Sequence, residues 1–108
     1  MAAPELATTR VHASLLTAKR PGAIAIVAIR GAPSELDVTI ATLCGRDRPV
    51  AIGSASLRRL AGLDEGLVVR LRDDLAWIMP HGGVRIVERI AEVLQASGAS
   101  WLDSPLGA

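Results

Sequence analysis

Few residues in this 108-residue chain could act on a substrate, and their spacing is poor for it. The two histidines are His12 and His81, and the single cysteine is Cys44. His12 stands two residues from Ser14 in an alternating stretch, so period two puts both on one face. No acid lies near them in sequence to orient the imidazole, and His12 reads as a solvated surface histidine. Asp73 and Asp74 are adjacent, and adjacent strand residues point to opposite faces, so the pair reads as a solvated turn and not a carboxylate dyad. Cys44 falls at a helix end, where an isolated thiol behaves as a small hydrophobe. One cysteine excludes an internal disulfide and leaves no cysteine-based zinc site. Arg58-Arg59 with Arg70 and Arg72 makes a modest basic patch lacking the interleaved aromatics that stack bases. No Walker-type phosphate loop is present. The expectation is a chain with no catalytic residue, no metal and no direct nucleic-acid contact.

The one turn with binding chemistry is His81-Gly82-Gly83, placed just before a helix. Unpaired backbone N–H groups at a helix start accept anions. The alternative is a plain strand-to-helix turn whose glycines permit tight packing.

The elements around these residues are legible from periodicity and punctuation. Val11, Ala13 and Leu15 alternate with His12, Ser14 and Leu16, a period-two strand within residues 10–17. Lys19-Arg20-Pro21-Gly22 reads as a turn. Residues 23–29 are apolar on both faces and rich in β-branched side chains, the pattern of a strand buried from both sides. Ser34 is placed to cap a helix from Glu35 to Leu43, with Glu35 and Asp37 in its first turn and Leu36, Ile40 and Leu43 on one stripe. Cys44-Gly45 closes it. Residues 45–54 read as loop and Ala55–Leu60 as a strand. Leu63–Gly66 reads as a turn, followed by strands at Leu67–Leu71 and Leu75–Met79. After His81-Gly82-Gly83 comes the clearest helix, with Ile86, Val87, Ile90, Ala91, Val93 and Leu94 on one face. Gly98 ends it, and Ala99–Leu102 adds a last strand. The predicted order is β–β–α–β–β–β–α–β, an α+β fold with two helices on a mostly antiparallel sheet.

Composition bounds the rest. With 12 basic and 11 acidic residues the net charge is +1, far from the basic stripe of a nucleic-acid or anionic-membrane binder. The longest apolar run is seven residues, too short to span a bilayer, and no signal peptide is evident; a cytoplasmic protein is expected. The length suits one domain, read as residues 10–104 between a loose N-terminus (1–9) and a short tail (105–108). The chain has no Phe or Tyr and only two Trp. Aromatic rings bury ~150–250 Å² each, so a small core without them gains from a partner that covers one face.

Three stretches in order carry a family resemblance: Pro21 to Gly31 (PGAIAIVAIRG), Leu63 to Val68 (LDEGLV), and His81 to Ile90 (HGGVRIVERI) with Gly98-Ala99. Together they resemble the N-terminal domain of the tRNA-modification GTPase family TrmE (MnmE), over roughly residues 10–103. The resemblance implies a fold similar to the folate-binding domain of the glycine-cleavage T protein. It further implies a homodimer, a one-carbon tetrahydrofolate ligand such as 5-formyl-tetrahydrofolate, and a role in modifying the wobble uridine of tRNA. In the family a helical domain and a GTPase domain follow, so a GTPase partner in the same or an adjacent frame is expected, with no GTP hydrolysis by these residues themselves.

The residues depart from the family at its pocket. A folate-contacting arginine of the family strand is replaced here by Ala28, and Arg30 lies two residues on, displaced ~6.6 Å along the same face. Asp73-Asp74 stands near the family's Glu-Asp pair. Trp77 falls about where a pterin-binding glutamate belongs, and an indole accepts no hydrogen bond. The resemblance therefore leaves Arg30, His81, Gly82 and Gly83 as candidate folate contacts and implies weakened or lost binding. Two other readings stay open: a working one-carbon folate binder, and a small protein-interaction domain that shares only the fold.

Overall fold

The computed structural model describes residues 11–17, 25–45, 49–62, 64–81 and 83–102. The turn read at 19–22, the chain ends and Gly82 lie outside the described residues. Six strands and two helices follow the expected order: β1 (Val11–Leu15), β2 (Val27–Gly31), α1 (Pro33–Cys44), β3 (Ala55–Leu60), β4 (Asp64–Arg72), β5 (Leu75–Pro80), α2 (Val84–Ala96) and β6 (Ser100–Leu102). They form one sheet in the order β3-β4-β5-β2-β1-β6. Every ladder is antiparallel except β1 with β6, where the chain returns through α2 to lie parallel to the first strand.

Register assigns the faces. Val27 pairs with Ile78 and Ile29 with both Ala13 and Ala76, so these side chains share one side of the sheet. That side holds the core: Val11, Ala13, Val27, Ile29, Leu60, Val68, Ala76 and Ile78 pack against Leu36, Ile40 and Leu43 of α1 and Val87, Ile90 and Leu94 of α2. Both helices therefore cover the same face. Cys44 is part of this core, in the role its position suggested. The strand expected at residues 23–29 starts later, at Val27, and runs on through Gly31, expected to end it; residues 23–24 lie outside the described residues. Within it Ala28 is as buried as its neighbours Val27 and Ile29.

Three local expectations are corrected. Ser34 does not cap α1: the cap is Ala32, with no side-chain hydrogen bond, and Pro33 opens the helix. Proline's fixed φ and missing N–H suit the first helical position, which moves the start ahead of the serine. At the other end Gly45 takes the left-handed conformation (φ 80°) and its N–H bonds the Ala41 carbonyl, closing the helix as expected.

The turn expected at Leu63–Gly66 lies earlier, at Ala61 and Gly62, both with positive φ. Asp64 to Gly66 belong to β4, where Gly66 pairs with Arg58 on one side and Pro80 on the other. The glycine there is a packing requirement. A Cβ would press on the Met79 carbonyl, on Leu60 Cδ1 at 2.6 Å and on Pro80 Cα at 2.8 Å.

The arginines do not form a basic patch. Arg58 and Arg70 are buried on the helix side, and Arg58 Nε donates to Ser56 Oγ at 2.8 Å. Arg70 donates to Asp37 Oδ1 at 2.6 Å, to the Asp73 carbonyl at 2.6 Å and to the Arg72 carbonyl at 3.0 Å. It thereby ties α1 to the β4–β5 hairpin. Arg72 pairs with Asp74 at 3.1 Å on the surface. The Asp74 carboxylate and the Asp73 carbonyl of the hairpin turn are thus engaged locally, as a solvated turn predicts.

Candidate functional site

The sheet face opposite the helices carries Ala28, Arg30 and Trp77. Along one row the register runs Ala55, Val69, Trp77, Ala28, Ser14 and Leu102, one residue from each strand. The next rows hold His12 opposite Arg30, with Leu75 beyond, and Leu57, Leu67 and Met79 side by side. This face is closed over β1 and β2, where Ser14 is 0 % and Ala28 1 % exposed. It is open over β3 and β4, where Leu57 is 64 % and Leu67 40 % exposed.

Ala28 and Trp77 are direct cross-strand partners. The two positions read from the sequence as departures from the resembled pattern thus lie side by side. Opposed residues on one face have Cβ atoms about 4.5–5.5 Å apart. The small and the large side chain are therefore neighbours.

His12 is not the solvated surface histidine its alternation suggested. It is half-buried, its Nδ1 is closed off from solvent, and that atom has no hydrogen-bond partner. Arg30, directly opposite, is also half-buried, with Nε closed off and unpartnered. A buried donor left unmade costs roughly 1–3 kcal/mol, more when the group is charged. Sequence reasoning missed His12 because exposure in a strand depends on flanking strands, which period two does not identify. The facing of His12 and Arg30 follows only from the β1–β2 register.

The turn before α2 is somewhere else. Arg30 pairs with Leu75 at the start of β5, and His81 follows that strand six residues later, about 20 Å away at ~3.3 Å per residue. His81 is exposed, and its backbone N–H donates to the Glu65 carbonyl at 3.0 Å. Gly83 caps α2 through its carbonyl, which accepts from Ile86 and Val87. A Cβ on Gly83 would meet nothing within 4 Å, so tight packing is not what that glycine provides. The candidate contacts Arg30, His81 and Gly83 therefore do not converge on one small group.

Among the described residues no group of three or more His, Cys, Asp and Glu side chains is placed to hold a metal ion. None of the described helices is long and apolar enough to cross a membrane. No protein-family model matches the chain, and no curated protein matches it.

Proposed function

We propose that this chain is a TrmE-type N-terminal module that pairs with a second copy of itself through the open half of its sheet and carries a degenerate tetrahydrofolate pocket. The observation behind the pairing is the row Leu57, Leu67 and Met79 on β3, β4 and β5, with Leu57 and Leu67 facing each other in the open. Apolar residues on the uncovered face of a sheet are the signature of a surface meant to be covered. A second copy is a chemically suitable cover, because it brings the same apolar row. The degenerate pocket is supported by the Ala28–Trp77 pair, which has neither the charge nor the acceptor of the family pair. The connection to wobble-uridine modification, and to a helical and GTPase partner, rests on the sequence resemblance alone.

Sedimentation tests the pairing. A species near twice 11.3 kDa that becomes monomeric in Leu57→Asp/Leu67→Asp supports it; a monomer at high micromolar concentration contradicts it and leaves the protein-interaction reading.

A second reading, a working one-carbon folate binder, draws on the unpartnered Arg30 guanidinium. Equilibrium dialysis separates it from the first. Micromolar retention of 5-formyl-tetrahydrofolate, abolished by Arg30→Ala, favours the second reading; no retention favours the first.

A further inference from the structure

We propose that His12 and Arg30 form a receptor for a single carboxylate group. The two residues are register partners on adjacent antiparallel strands and project from the same face, which puts their Cβ atoms about 4.5–5.5 Å apart. Both are half-buried, and each holds one nitrogen closed off from solvent without a partner. A guanidinium is permanently charged and offers a planar fork of donors that matches a carboxylate edge. Partial burial strengthens that attraction, because water no longer screens the charge.

The surroundings leave this charge unanswered. The arginines Arg70, Arg72 and Arg89 each have a carboxylate partner, Asp37, Asp74 and Glu92 respectively. Arg30 has none among the described residues. Its neighbours in the register are His12, Leu75 and, one step along the same face, Ala28 and Trp77. With its proton on Nδ1, or on both nitrogens, the imidazole of His12 adds a donor from the opposite strand. The pair is thus a two-sided donor set, with apolar Ala28, Trp77 and Leu75 on the Arg30 side and Ser14 and Ser100 beside His12. The inference depends neither on pairing through β3 and β4 nor on folate retention.

The carboxylate could come from a free small molecule or from an acidic side chain of a second copy, and one experiment with two arms separates these sources. The intact ¹⁵N-labelled chain is observed through its arginine Nε–H signals. In the first arm acetate is titrated into dilute protein; in the second the protein is concentrated with no acetate. The Arg30 Nε–H signal moves in the first arm for a free ligand, and in the second for a carboxylate supplied by another copy. Movement with acetate supports the receptor, and so does movement on concentration that persists in Leu57→Asp/Leu67→Asp, which removes the other pairing face. In the acetate arm, His12→Gln then weakens the dependence about tenfold, the loss of one charge-assisted hydrogen bond. A signal that stays still in both arms overturns the proposal. So does an equal response from Arg59, which is exposed and marks an adventitious ion only, or an acetate response that His12→Gln leaves unchanged.

Discussion

Ala28 on β2 and Trp77 on β5 face each other across the sheet, on the side that neither helix covers. Ala28 is 1 % exposed beside a half-buried indole. Size at one position compensates smallness at the other, so the two positions are coupled physically. A small and a large apolar side chain set side by side keep this part of the sheet packed.

This coupling predicts a non-additive reversal. Ala28→Arg alone forces a long charged side chain against the indole and should cost about 1–3 kcal/mol. In Ala28→Arg/Trp77→Glu the new charges neutralise each other, and the double variant should lose less than the sum of the singles by roughly 0.5–3 kcal/mol. Urea melts of the four proteins measure the cycle. Additive losses would show that the two sites do not interact.

Arg70 is predicted to be worth more than its visible ion pair. Removing it strands the carbonyls of Arg72 and Asp73 as well as Asp37, so Arg70→Ala should destabilise by about 3–5 kcal/mol. Asp37 is 47 % exposed, and Asp37→Asn leaves Arg70 its two carbonyl partners. That variant leaves a buried guanidinium without its carboxylate and should lose roughly 1–3 kcal/mol, less than Arg70→Ala, which strands two carbonyls. Denaturant midpoints at constant m-value compare the two.

Gly66 is predicted to reject even one methyl group. With Leu60, Met79 and Pro80 already against its Cα, Gly66→Ala should cost about 1–3 kcal/mol or prevent folding. Gly83→Ala, where the added methyl meets open space, should change the melting midpoint little. Thermal melts of the two variants side by side test the contrast.

Ala61 sits in the left-handed region (φ 54°) while its N–H holds the Leu43 carbonyl of α1 at 2.9 Å. The left-handed conformation costs a non-glycine residue roughly 1–2 kcal/mol. Ala61→Gly should therefore stabilise the protein by up to about 1 kcal/mol, after glycine's larger entropy loss is counted. A lower melting temperature would contradict this.

Element order was readable in the chain because almost every break carries Pro, Gly or Asp, and because 3.6-residue and two-residue periods alternate cleanly around them. The limits appear where a residue's role is set by distant neighbours. Leu63–Gly66 looks like a turn by composition, yet Gly66 is a strand residue selected by the close approach of Leu60 and Pro80. Ser34 looks like a helix cap, yet Pro33 starts the helix before it. Arg58 and Arg70 look like surface charge and are buried. Of the candidate site, Arg30 was singled out in the sequence by a resemblance, without the burial of its Nε. His12 was not, because its partner lies 18 positions away and only the β1–β2 register joins them. His81 and Gly83 were legible as a helix start, but their distance from Arg30 depends on the direction in which β5 runs.

Sedimentation velocity on the intact chain, from roughly 1 to 100 μM so as to bracket a micromolar Kd, addresses the self-pairing face most directly. The expected result is a shift from one to two copies per particle with rising concentration, abolished by Leu57→Asp/Leu67→Asp with the fold intact by circular dichroism. A single-copy particle across the whole range would contradict it.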